Sequence, residues 1–246
     1  MVRALDELID VEDPAWPGIE DLIARAAVDV QVLVGTDDGR ASALHRLQVT
    51  TRSTLGALAW HTGGLVLDHG WLRILGGGHQ ALPDLATASG LGEPTAASTP
   101  PSHLTCGYDV LGGEFAINGG GLSGEPGEVA YFAPDSLDWM PTGMGHSSFV
   151  AWALTGDLAG FYADLRWTGW DQHSATLALD QGINVFPPLF TTQAQSDLDA
   201  TSRAAVPWTE VLSLREDMAQ QVAALPDGAA FRLTVEDTPK KRRWRR

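Results

Sequence analysis

The 246-residue chain carries 31 acidic against 16 basic side chains, a formal charge of −15, with 44% hydrophobic residues and 19% charged. That balance belongs to a chain able to bury a sizeable core, as one large domain or two small ones, and excludes a disordered polymer. A single cysteine, Cys106, excludes an intramolecular disulfide and a multi-cysteine zinc site, and reads as a small buried hydrophobe in a strand. No uncharged apolar run nears the roughly 20 residues of a membrane helix, and Asp6 and Glu7 stand where a signal peptide would be apolar, so the expectation is a cytoplasmic protein without a transmembrane segment.

In chain order, Leu5, Leu8 and Ile9 mark a first short helix, and Asp13-Pro14 the cap and first residue of a second carrying Ile19, Leu22, Ile23 and Ala26. Alternation over residues 28 to 34 predicts a strand. A turn at 35 to 39 precedes helical patterning over 41 to 47 and 53 to 61, which Gly63-Gly64 should end in the left-handed conformation. Residues 65 to 67 and 71 to 75 read as strands around the turn Asp68-His69-Gly70, and residues 92 to 102 as a proline-rich loop.

From Leu104 onward the pattern is a glycine-punctuated meander. Tyr108-Asp109-Val110-Leu111 turns at Gly112-Gly113 into Glu114-Phe115-Ala116-Ile117-Asn118, and Gly119-Gly120-Gly121 opens a longer hairpin to a strand over 128 to 133. Residues 148 to 152 lead into an aromatic helix. Asp157 should cap a helix with Leu158, Phe161, Tyr162 and Leu165 on one face, and Pro207 should start the last clear one, before a final strand over 230 to 235. Helices and strands come in blocks, which predicts an α+β fold of one main domain, residues 1 to 239.

Residues 240 to 246, Lys-Lys-Arg-Arg-Trp-Arg-Arg, carry +6 and leave the body at −21. Such a body repels nucleic acid and attracts basic partners. The tail admits weak contact with nucleic acid or an anionic membrane, or folding back on its own acidic body.

Motifs of catalysis come close and fail. Gly145-His146-Ser147-Ser148-Phe149 has phenylalanine where a nucleophile elbow needs its second glycine, and Ser147 reads as a helix cap. Gly76-Gly77-Gly78-His79 follows a strand but lacks the lysine of a phosphate loop. His61, Asp68, His69 and His79 fall within 19 residues without the spacing that sets two imidazoles on one helical face. We therefore expect no catalytic residue, no metal and no cofactor.

Leu58-Ala59-Trp60-His61-Thr62-Gly63-Gly64, Trp71-Leu72-Arg73-Ile74-Leu75-Gly76, residues 109 to 117, Val129-Ala130-Tyr131-Phe132 and Ser148-Phe149-Val150-Ala151-Trp152 resemble the SUKH superfamily over residues 50 to 155, although Thr62 replaces its usual asparagine. A longer resemblance, through Asp13-Pro14-Ala15-Trp16-Pro17, Asp68-His69-Gly70-Trp71-Leu72-Arg73, Phe115-Ala116-Ile117-Asn118-Gly119-Gly120 and Gly156-Asp157-Leu158-Ala159-Gly160-Phe161-Tyr162, is to the bacterial domain-of-unknown-function family 2625. The SUKH likeness implies a mixed sheet flanked by helices, with residues 156 to 239 as an extension. It also implies a protein-binding role, many members being immunity proteins that neutralise toxins. A basic protein or toxin is then the expected partner, with Trp71, Arg73 and Trp139 as its contacts. The alternatives are an enzyme with its site near His61, Asp68, His69 and His79, and a nucleic-acid-associated protein acting through the tail.

Overall fold

Residues 2 to 225 are described by the computed structural model, in which seven strands lie side by side in chain order. They are β1 (Val30–Leu33), β2 (Gly64–Leu67), β3 (Leu72–Leu75), β4 (His103–Asp109), β5 (Glu114–Asn118), β6 (Glu128–Ala133) and β7 (Asp138–Gly145). Every pairing is antiparallel, which corrects the expectation of a mixed sheet. The cause is local: the turns after β2, β4 and β6 span only four residues each, too short for the crossover a parallel neighbour needs. Asp68, His69 and Gly70 all take positive φ to reverse the chain between β2 and β3. The α+β class holds, and the sheet draws β1 from before residue 50.

Helices α1 (Leu5–Ile9), α2 (Trp16–Ala24), α3 (Asp37–Leu47), α4 (Thr54–His61), α5 (Leu85–Ala88), α6 (His146–Thr155), α7 (Leu158–Phe161), α8 (Trp170–Ala175), α9 (Thr192–Ser196) and α10 (Trp208–Ala223) complete the main elements with a second, two-stranded sheet of β8 (Gln181–Phe186) and β9 (Ser202–Pro207). Helix α3 starts inside the expected turn because the Thr36 hydroxyl caps it, accepting from the Gly39 N–H at 3.1 Å. Helix α2 takes Ala15 rather than Asp13 as its N-cap, with Pro17 in its first turn. Helix α4 stops on extended Thr62, not on a left-handed glycine. The Thr62 hydroxyl donates to the Leu58 carbonyl at 2.9 Å, and Gly64 (φ +147°) opens β2.

Ser147 lies inside α6, whose N-cap is Gly145, and its hydroxyl accepts from Thr54 at 2.8 Å instead of capping. The amphipathic helix expected after Asp157 breaks into α7 and a 3-10 turn, Ala163–Leu165.

Leu65, Ile74, Phe115 and Tyr131 pack on one face of the large sheet, where α6 brings Phe149 to 4.7 Å from the Phe115 ring. The opposite face is covered by β8, β9 and α10, and it holds Arg73, Tyr108 and Glu114. Cys106 is fully buried in β4, and burial pushes its thiol far up from the usual range. All tryptophans among the described residues are at least partly buried. None of the described helices is long and apolar enough to cross a membrane. The expected strand over 230 to 235 and the basic tail over 240 to 246 lie outside the described residues.

Candidate functional site

Register assembles what the sequence scatters. Val66 on β2 stands opposite Arg73 on β3, Arg73 opposite Tyr108 on β4, Tyr108 opposite Glu114 on β5, Glu114 opposite Phe132 on β6, and Phe132 opposite Trp139 on β7. Directly opposed residues share a face, so these six side chains form one row across the sheet. Arg73 is 2% exposed and Glu114 7%, values that demand partners for both charges.

The C-terminal elements supply those partners. Arg215 of α10 pairs with Glu114 at 3.0 Å, donates to the Gly112 carbonyl at 3.0 Å and lies 4.7 Å from the Phe132 ring centroid. Thr105 donates to the other Glu114 oxygen at 2.7 Å. Trp208, the first residue of α10, sets its ring edge-on to Tyr108 at 5.1 Å and 5.9 Å from the Arg73 guanidinium. Arg73 Nη1 donates to the carbonyls of Leu179 at 2.9 Å and Gln181 at 2.6 Å, just where the chain enters β8. Burial pushes Arg73 down to about 10, against the opposing pull of Asp109 and Asp180. Tyr108 is raised, first by burial and then by the Glu114 charge.

Between this row and α10 a cleft of about 510 Å³ stays open, walled by Arg73, Tyr108 and Trp208 and floored by Leu82, Leu179 and Leu212. Its size and largely apolar lining are those of a small-molecule site. A neighbouring groove, lined by His79, Gln80 and Pro83, shares Asp180 at the rim.

On the other face, Asp109 is fully buried and accepts four hydrogen bonds: from the N–H groups of Leu111 and Gly113, both at 2.9 Å, and from the hydroxyls of Tyr131 at 2.7 Å and Tyr162 at 3.3 Å. Burial raises its carboxyl above the usual range, and the four donors pull against that shift. The glycine after the turn is a requirement of packing, because a Cβ on Gly113 would run into the Asp109 carboxylate and the Tyr131 hydroxyl. Every Asp109 oxygen is committed to holding the β4–β5 hairpin against the helices, so this is a structural hub.

Of the expected contact residues, Trp71 is fully buried, in edge contact with Tyr162 and Trp170, while the Arg166 guanidinium lies 4.9 Å from its ring. Trp71 and Arg73 are interior in this fold, and neither offers a surface to a macromolecule. Trp139 is half-buried on the edge strand β7, against Phe132 and His103.

The four residues of the alternative enzyme site do not come together. Asp68 and His69 form the β2–β3 turn, whereas His61 precedes β2 and His79 follows β3. Strands of four residues put the two pairs at opposite ends of the hairpin, about 13 Å apart. His61 stacks on Trp16 at 4.8 Å, and His79 exchanges backbone hydrogen bonds with Leu82.

Among the described residues, Asp29, Asp68 and His69 bring potential ligand atoms within 4.8 Å of one another. Asp68, however, pairs with Arg166, and Asp29 accepts the His69 N–H at 2.9 Å, so a guanidinium stands where a cation would have to approach. The N–H groups of Gly77, Gly78 and His79 donate to the carbonyls of Thr62, Gly63 and Leu82, which leaves none to cradle a phosphate.

Comparison with known proteins agrees with the longer of the two resemblances. Residues 5–211 match the family described as "Protein of unknown function DUF2625". The chain is similar to "Putative uncharacterized protein YbfG" of Escherichia coli K12, 37% identical over 222 residues that cover 88% of this chain and 97% of that protein. An "Uncharacterized protein" of Haemophilus influenzae is 30% identical over 209 residues, 83% of this chain and 90% of its own. No solved structure matches. With the match running from α1 to Val211 in α10, and so through both walls of the cleft, the chain belongs to the DUF2625 family.

Proposed function

We propose that the protein is a non-enzymatic binding module whose partner is a basic protein. One observation carries this reading: most of the described arginines are engaged within the fold, with Arg3, Arg25 and Arg52 exposed, while most acids face solvent. Arg40, Arg46, Arg166 and Arg215 pair with Asp37, Asp84, Asp68 and Glu114, and Arg73 is bound by carbonyls, all within the fold. Asp6, Asp10, Glu12, Asp13, Glu20 and Asp21 meanwhile stand exposed along the first two helices. A field of one sign speeds the approach of a cationic partner, and the affinity then rests on a few desolvated anchors. The SUKH resemblance supports a toxin as that partner. If the toxin is a nuclease, the acidic face inhibits by covering the basic groove that holds nucleic acid.

The test is capture of the partner from the native cell, followed by binding kinetics on the purified pair. The association rate should fall at least tenfold between 20 and 300 mM salt, an order-of-magnitude expectation for steered encounter. The triple variant Glu12→Lys, Glu20→Lys, Asp21→Lys should slow association further without altering the fold. Capture of no protein, or an association rate indifferent to salt and to charge reversal, would sink the reading.

A further inference from the structure

We propose that the cleft between the sheet and α10 binds a small apolar carboxylic acid, its carboxylate on Arg73 and its body against the Trp208 ring. The site is independent of any protein partner on the acidic surface.

The first observation is a buried charge with no carboxylate in direct contact. Arg40, Arg46, Arg166 and Arg215 each lie within 4.0 Å of a carboxylate; Arg73, at 2% exposure, has only carbonyls. A buried cation whose direct partners are neutral carbonyls, with Asp109 and Asp180 acting only from beyond contact, is a costly arrangement that a carboxylate beside it relieves.

The second is which side of the guanidinium is engaged. Nη1 is held by Leu179 and Gln181, whereas Nη2 reaches only the Ala178 carbonyl at 3.5 Å and Nε has no partner. An unpaired Nε recurs in the other four of these arginines, so it is no mark by itself. Nε is shielded from solvent, so the loosely held Nη2 is the donor left to meet a carboxylate with a charge-assisted hydrogen bond.

The third is the cavity: about 510 Å³, with the Trp208 ring for a flat body and Leu82, Leu179 and Leu212 around it. Asp180 at the rim discourages a second negative charge, which narrows the ligand to a monoacid. Water alone would suit the polar row, but it would not explain an apolar floor.

Titration of the full-length protein with phenylacetate, 4-phenylbutyrate and octanoate, each beside its neutral amide, separates charge recognition from hydrophobic trapping. Calorimetry gives affinity, and the indole N–H resonance of Trp208 reports place. At least one acid should bind and shift that resonance, with its amide at least tenfold weaker. Since Arg73→Met could fail to fold, the decisive variant is Leu212→Trp, which fills the cleft and keeps the arginine. It should weaken the acid at least tenfold with melting temperature and circular dichroism retained. Binding by none of the acids, equal binding of acid and amide, or an unaffected Leu212→Trp variant would each overturn the proposal.

Discussion

His146 opens α6 with both ring nitrogens shielded from solvent and without a hydrogen-bond partner, although part of the residue reaches the surface. Burial alone lowers it from 6.5 to about 4. Below pH 6.5 the unfolded chain takes up this proton while the folded one refuses it until about pH 4, so the folded-state pKa is depressed. The contribution to stability is therefore whole above pH 6.5 and is lost as the pH falls through that window. The loss by pH 4.5 should be about 2 to 3 kcal/mol. Urea unfolding at pH 7 and pH 4.5 should show His146→Leu free of this part of the acid sensitivity. The variant should also be more stable at pH 7, because it removes a buried donor and acceptor that nothing satisfies. Equal acid sensitivity in the two proteins would mean that the imidazole takes up its proton in the folded state at an ordinary pH.

Among the elements, α10 is tied to the sheet by charge as well as by apolar contact. Removing one member of the Arg215–Glu114 pair leaves the other charge buried, and Arg215→Met should cost about 3 to 5 kcal/mol. The double variant with Glu114→Gln should recover much of that loss in chemical denaturation. Hydrogen exchange of Arg215→Met should show α10, β8 and β9 losing protection before β2 to β5. Uniform loss would mean that the second sheet is no separable layer.

Legibility followed period and turn chemistry at this scale. β6 was readable from its apolar run and the β2–β3 hairpin from Asp68-His69-Gly70. β7 was not, since Pro141, Gly143 and Gly145 interrupt alternation and its place is set by pairing with β6. β8 and β9 take their stability from α10 and the row beneath them, which local pattern does not show. Arg73 was legible as unusual, a charge inside Leu-Arg-Ile-Leu. Its burial was not, because the alignment of Arg73, Tyr108 and Glu114 depends on hairpin register. The cleft escaped for the same reason, as its walls lie 135 residues apart between Arg73 and Trp208. A strand arginine whose cross-strand neighbours are a tyrosine and a glutamate is the signal that a register prediction would expose.

The whole molecule is governed by like charge. With a formal charge of −15 and its arginines mostly engaged internally, the folded chain repels itself through solvent. Raising salt from 0.01 to 0.15 M shortens the screening length from about 30 to about 8 Å. The melting temperature should therefore rise over that range, because the buried pairs are screened far less than the surface acids. A melting temperature that falls over that range would show that exposed ion pairs, rather than self-repulsion, dominate.

The order of the strands bears on how the chain is made. β1 to β7 stand in the sheet as they stand in the sequence, so each strand leaving the ribosome finds its neighbour already waiting. The cover for the second face, β8 to α10, is synthesised last. Until it arrives, the emerging sheet shows water a face on which Arg73, Tyr108 and Glu114 lie in one row. A purely hydrocarbon face would be sticky during that interval, whereas a row of charge and hydroxyl stays wetted. The polar row that the finished protein buries thus keeps the unfinished sheet wetted until Arg215 and the last-made elements cover it.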